Sequence, residues 1–451
     1  MGIKIALIGA GSAVFSLNLM RDMCLSKYLD ESTVLCMMDI DETRLATTYK
    51  FCTRFAKEVG AKFKITKTLN RKTALKGADF VINTAMPGGA EYTLDGWKVA
   101  KKNGYDFGGS LHIMHDESFW INFHQLKLTE EIYLDMQDIC PNAWMILVAN
   151  PVMTMTTYFN RKYPGCKLIG MCHGSNNAKN IAKTIGLDTS KISYECPGVN
   201  HFLWLNEFKY QGQDAFPLLD KWLDEKWEQY LVEHPDPCDK MGLKAVDMYR
   251  RYGVFPIGDT ASPGGGAWGH FYHTSREVEK QWNEDPNGWY DNHFIKGNER
   301  VQKMYADAFD MSKKITDTYK VVRSSEPMIP VVEALAFDIE KKIVVNIQNK
   351  EGFVEGVPTD FNCEVPAIVS ARGVQGLHTK PLPKPVQAWL IRDRVAPANM
   401  EIEAFVNHSK DYLIDLICMD PWTKTRAQAE SLLKDILDMP FNADMKAYYN
   451  K

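Results

Sequence analysis

Apolar positions fall in short unbroken runs in the first part of the chain and in longer helical periods further on. Residues 3–8, 33–38, 79–84, 144–149 and 167–172 are strand-length apolar stretches, each running into a polar or turn-forming segment. Helical patterns lie between them, from Ala13 towards Ser26 and from Glu117 to Asp138. Alternating β and α segments predict a parallel, doubly wound sheet of Rossmann type, with ligands outside the carboxyl ends of the strands. Beyond about residue 176 the alternation fades. Residues 192–196 and 202–210 read as strands, and 214–250 as helix with a break at His234-Pro235-Asp236-Pro237. A glycine- and proline-rich segment follows at 253–266, then charged helical sequence, a strand pair at 342–348 and 352–357, and a helical tail from Met400 to Tyr449. The expected division is a dinucleotide-binding α/β domain over 1–175 and a metal- and substrate-binding α+β domain over 176–451.

Composition narrows the class. The 451 residues are 45% hydrophobic and 24% charged, enough for a sizeable core, and the net charge of −4 comes without a basic run. Nucleic acid is therefore not expected as a partner. No apolar run reaches membrane-spanning length, so no membrane role is expected. The chain enters a strand at Ile3, which leaves no room for a signal peptide. The 10 cysteines have no framework spacing and read as reduced thiols. A cytoplasmic enzyme is the expectation.

Candidate chemistry gathers at the strand ends. Gly9-Ala10-Gly11-Ser12 stands between a strand and a helix, where a pyrophosphate can sit on a helix N-terminus. Val14 takes the place of the third glycine of the usual fingerprint, so a plain strand-to-helix turn fits this stretch as well. Asp39, at the tip of the second strand, is placed to hold a ribose diol and to repel a 2′-phosphate, which favours NAD over NADP. Asp41 reads better as a helix cap. Asn83 and Met86, at the end of the 79–84 strand, complete the expected cofactor set. Farther on, the apolar run 167–172 delivers Cys172 and His173, and Gly174 is expected to allow a sharp turn there. Cys172 together with His201 of Asn200-His201-Phe202 suits a divalent metal, since thiolate and imidazole both bind such ions. A buried small hydrophobe and a loop histidine would produce the same spacing.

Taken together these pieces resemble glycoside hydrolase family 4, the NAD- and divalent-metal-dependent glycosidases, whose fold is related to lactate and malate dehydrogenases. The resemblance spans nearly the whole chain. It rests on Ile8-Gly9-Ala10-Gly11-Ser12, Val81-Ile82-Asn83-Thr84-Ala85, Asn150-Pro151, Cys172-His173-Gly174-Ser175 and Val199-Asn200-His201-Phe202. It continues through Asn349-Lys350-Glu351-Gly352, Val357-Pro358-Thr359-Asp360 and Glu364-Val365-Pro366. It implies that Cys172 and His201 hold a metal, usually Mn2+, and that Asn150 and Asn200 contact a small carbohydrate substrate. Cys-His-Gly resembles the branch acting on α-linked uronic acids, glucuronides or galacturonides, whereas α-glucosidases and α-galactosidases of the family carry Cys-His-Ser or Cys-His-Glu. The resemblance therefore implies an α-uronide substrate, with a neutral-sugar α-glucosidase or α-galactosidase as the alternative. Asp259-Thr260-Ala261-Ser262-Pro263 departs from the arginine-histidine pattern of other members. A homodimer or homotetramer is also implied.

The chemistry so implied is not the two-carboxylate scheme; NAD-dependent members of this family are a known exception to it. Hydride leaves sugar C3 for NAD, the ketone acidifies the C2 proton, and the aglycone departs from C1. Water then adds and the hydride returns, with the metal acting as Lewis acid at the C2 and C3 oxygens. By similarity Asp259 is the candidate base, although it could equally cap a loop. His173 is the candidate acid, since imidazole titrates near neutrality. Asp116 could contact sugar hydroxyls or cap the following helix. A 2-hydroxyacid dehydrogenase would share the fold but form NADH in net and need no metal, and an NAD sensor would bind the dinucleotide without turnover.

Overall fold

The computed structural model describes residues 2–106, 111–114, 117–237, 239–262 and 269–450. Asp116 lies outside them. The described residues form fifteen strands: β1 (Lys4–Ile8), β2 (Val34–Met38), β3 (Lys64–Thr68), β4 (Phe80–Asn83), β5 (Trp144–Leu147), β6 (Leu168–Gly170), β7 (Ile192–Glu195), β8 (Gly198–Val199), β9 (Phe202–Leu205), β10 (Glu207–Tyr210), β11 (Gln213–Asp214), β12 (Phe255–Ile257), β13 (Lys341–Gln348), β14 (Asn362–Ser370) and β15 (Gly373–Gly376).

β1 to β6 are parallel and stand in the order β3-β2-β1-β4-β5-β6. This is the doubly wound dinucleotide-binding arrangement, whose switch point lies between β1 and β4. Continuous apolar runs are required because helices cover both faces of such a sheet, and β1, β2 and β4 are buried almost throughout. β3 escapes that pattern. Its Lys-Ile-Thr-Lys-Thr sequence is polar and mostly exposed at the sheet edge, so it leaves no apolar signature. Asp41 caps the helix Glu42–Val59 by accepting from the Arg44 N–H at 2.9 Å.

The sheet does not stop at residue 175. β13 pairs antiparallel with β6, and β14, β8, β9 and β12 follow, so that one 12-stranded sheet crosses both parts of the chain. The cores cross as well. Ile402, Phe405 and Leu433 of the helical tail pack with Val81, Trp120 and Met145, while Met328, Ile329 and Val332 pack with Ile5, Leu7 and Leu35.

Two local expectations change. Residues 202–210 form two strands in different sheets, β9 in the large one and β10 in a small sheet with β7 and β11. The partner of β13 is β14, not the expected strand at 352–357. There the buried Asn349 side chain accepts from Val354 N–H at 3.0 Å and donates to the Val354 and Val357 carbonyls at 3.0 and 2.8 Å. Those backbone groups are engaged in a loop and cannot join a ladder.

Candidate functional site

At the switch point the backbone itself demands glycine. Gly9 has φ +84°, and a Cβ there would lie 2.4 Å from the Ala85 nitrogen. Gly11 donates its N–H to Asp39 Oδ2 at 2.7 Å, and a Cβ on it would meet that same oxygen. Ser12 is the residue before the helix Ala13–Cys24, with no side-chain bond into that helix. Asp39 thus stands beside the glycine turn, with Met86 exposed at the end of β4. Asn83 is different in kind: it is fully buried, accepts from Ala85 N–H at 3.1 Å and donates to Thr129 at 3.2 Å. Its side chain braces the turn from within the protein.

A second set of side chains assembles farther along the same sheet. β6 ends at Gly170, and Cys172 and His173 follow it. Val199 pairs with Phe202, which makes Asn200-His201 the two-residue turn of the β8–β9 hairpin, with His201 at φ +60°. β12 runs antiparallel to β9 with Ile257 opposite Leu203, so the register carries Asp259 alongside His201. The Asp259 Oδ2 to His201 Nε2 distance is 3.6 Å. The Thr260 hydroxyl accepts from Leu203 N–H at 2.8 Å and pins the turn. The expected sharp turn at Gly174 is not left-handed; the close approach belongs to Gly258, at φ +61°, where a Cβ would come 3.1 Å from the Gly174 Cα. Gly258 is needed there because the Asp259 turn comes against the backbone of the Cys172 loop, whereas a Cβ on Gly174 would make only ordinary contacts at 3.7 Å.

Acidic groups surround this point. Glu117 Oε1 lies 3.2 Å from His201 Nδ1, and Lys240 Nζ is 3.8 Å from Asp259 Oδ1. Glu364, on β14, accepts from the Asn200 amide at 3.1 Å. The buried Asn200 Oδ1 has no hydrogen-bond partner among the described residues. Burial pushes the Glu364 carboxyl up. Burial, followed by the charges of Glu364 and Asp259, pushes the Cys172 thiol well above its ordinary value. His173 is 60% exposed and sits 3.2 Å from Glu326 Oε1. That hydrogen bond raises its pKa, so the imidazole keeps a proton to higher pH. Arg394, on the π-helical turn Ile391–Val395, reaches the His201 carbonyl at 3.4 Å.

Four of the sequence-derived residues, Cys172, His173, His201 and Asp259, therefore share one acidic locality with Asn200. Asn150 follows β5, the strand next to β6. Glu117, Glu326, Glu364 and Lys240 were not singled out. Glu364 stood within the quoted Glu-Val-Pro segment, but nothing local marked it as buried. The others come from remote segments and carry no motif. Among the described residues no group of three or more His, Cys, Asp or Glu side chains forms a complete metal cage. The arrangement brings a thiol and an imidazole into one acidic locality.

Comparison with known proteins agrees with this architecture. An α-galactosidase from Bacillus subtilis is 26% identical over 97% of this chain and 96% of its own length. An α-galacturonidase from Thermoanaerobacter italicus is 25% identical over 97% of this chain and 96% of its own. The solved 6-phospho-β-glucosidase of Thermotoga maritima, with manganese, NAD+ and glucose-6-phosphate, superimposes with a TM-score of 0.76 at 19% identity, covering 98% of each chain. Malate dehydrogenase from Cryptosporidium parvum gives 0.51 at 14% identity, covering 90% of this chain and 100% of its own, in line with the expected dehydrogenase-like fold. Residues 4–187 match the family described as family 4 glycosyl hydrolase and residues 196–423 its C-terminal domain, so the chain belongs to that family.

Proposed function

We propose that the chain is an NAD- and divalent-metal-dependent α-glycosidase acting on neutral hexosides, α-galactosides or α-glucosides. The observation that carries the reading is the gathering of Cys172, His173, His201 and Asp259 on the sheet whose switch point holds Gly9, Gly11 and Asp39. A thiol and an imidazole suit borderline divalent ions such as Zn2+, the family relative solved with manganese favours Mn2+, and the unpartnered Asn200 Oδ1 beside them fits a polar ligand. Cys172 and His201 would hold the ion, while Gly9, Gly11, Ser12, Asp39 and Met86 would line the dinucleotide groove. When bound, NAD supplies a reversible hydride sink and the ion a Lewis acid for sugar oxygens.

The chain's own residues do the rest. Asp259 takes the proton from sugar C2. His173, kept protonated by Glu326, gives one to the departing glycosidic oxygen. Asn150 and Asn200 orient the ring.

Charge favours a neutral sugar. Among the described residues, Glu117, Asp259, Glu326 and Glu364 outnumber the cationic Lys240, Arg394 and protonated His173 in this locality, which disfavours an anionic ring. The B. subtilis α-galactosidase supports the same choice. A uronide is the second reading, favoured by Cys-His-Gly and by Lys240, whose ammonium beside Asp259 could meet a carboxylate. The test is a panel of p-nitrophenyl α-galactoside, α-glucoside, α-glucuronide, α-galacturonide and 6-phospho-α-glucoside with NAD, Mn2+ and reductant. Release from a neutral α-sugar, abolished by EDTA, supports the first reading; release from uronides alone replaces it with the second. Turnover without added metal or NAD by protein stripped of both overturns the cofactor assignment.

A further inference from the structure

We infer that Glu117 is a positioning residue that decides which nitrogen of the His201 ring is offered to a divalent cation. The inference rests on reading His201 as a metal ligand. It adds a residue from a remote segment, at the head of the helix Phe119–Ile139, to the machinery of the site.

The two ring nitrogens face different groups. Nδ1 lies 3.2 Å from Glu117 Oε1, and Nε2 lies 3.6 Å from Asp259 Oδ2, whose charge also acts on Cys172. An ionised carboxylate can only accept, so a neutral His201 must carry its proton on Nδ1 to bond Glu117. The lone pair is then on Nε2, facing Asp259. Without Glu117 the ring could place its proton on Nε2 and donate it to Asp259 instead. In that tautomer the ring blocks the cation and engages the proposed base.

Glu117 is held where this choice is enforced. It is fully buried. The Asn122 amide donates to the Glu117 carbonyl at 2.8 Å and to both Glu401 oxygens at 2.9 Å, and Glu401 in turn pairs with His112 Nδ1 at 3.1 Å. His201 is held from two further sides, by its hairpin turn at φ +60° and by Arg394 on its carbonyl. A carboxylate behind a metal-bound histidine fixes the ring orientation and raises its basicity.

The test is Mn2+ binding to the NAD-loaded protein, read from the electron paramagnetic resonance of free Mn2+, in the parent and in Glu117→Gln. The variant keeps the shape but can turn its amide N–H towards Nδ1. Binding is expected to weaken on the order of 10- to 100-fold, with NAD affinity and the melting temperature in EDTA at parental values. Equal Mn2+ affinity in parent and variant overturns the role of Glu117 alone. A parent that binds no Mn2+ overturns the metal reading and this inference together. A second measurement does not depend on the variant folding. Nitrogen-15 histidine NMR of the Zn2+-loaded parent is expected to show His201 protonated at Nδ1 and metal-bound at Nε2; the reverse assignment overturns the inference.

Discussion

At the scale of single residues, the roles proposed for Cys172 and Asp259 are separable, although both residues stand in the locality of His201. Replacing Cys172 by Ser substitutes a hard, weakly acidic hydroxyl for a soft ligand. Activity at fixed Mn2+ is expected to fall on the order of 10²-fold, with NAD binding unchanged, as measured by titrations of metal and cofactor. Asp259→Asn should leave Mn2+ affinity within a few-fold while lowering kcat by roughly 10²–10⁴, and a steady-state series in Mn2+ distinguishes the two variants. Cys172 and His201 were readable in the sequence because they stand in short motifs. Glu117 was not, because a Glu ahead of an apolar helix looks like a solvated helix start, and only the fold brings it to 3.2 Å from His201.

Among the elements, the switch-point turn and the buried histidines give checks that need no substrate. Gly9→Ala would place a side chain at φ +84° and 2.4 Å from the Ala85 nitrogen. The expected cost is about 1–3 kcal/mol for the backbone conformation alone, read by denaturant unfolding, together with loss of NAD binding. His270 and His273 set an acid limit. Burial is the main cause for both, and the His270 pKa falls from 6.5 to about 4 while the enclosed His273 is also lowered. The fold therefore prefers both rings neutral. The His270 contribution is fully present above pH 6.5 and is lost as pH falls towards about 4, and His273 acts in the same direction. Because His270 is only partly enclosed, solvent screening keeps its share well below the ~1.36 kcal/mol per unit that full burial would give. His173 has the opposite sign, since Glu326 raises its pKa, but it is 60% exposed and its effect is screened. Melting temperature is expected to drop steadily from pH 6.5 to 4.5, and a flat profile would contradict this assignment. The parallel strands were legible from their apolar runs. β3 and β14 were not, one because it is polar at an edge and the other because its pairing is set by a side chain in a loop.

In the whole molecule, the sheet joins what the chain order separates. β13 and β14 carry Asn346 and Glu364 beside β6 and β8, so the Cys172 loop, the His201 hairpin and the Gly9 turn belong to one continuous sheet. The general plan was visible in the sequence because alternating β and α segments leave few topologies. The continuation of the sheet past residue 175 was not visible, since pairings as remote in sequence as Gly170 with Asn346 and Gly198 with Glu364 leave no periodic trace. We propose that this surface removes a proton from sugar C2 while a neighbouring dinucleotide is temporarily reduced. Hydrolysis of the preferred α-glycoside in D2O, with the product read by mass spectrometry and NMR, tests it directly. One non-exchangeable deuteron at C2 of the released sugar is predicted, whereas full turnover to a product carrying only protium at C2 would contradict the account.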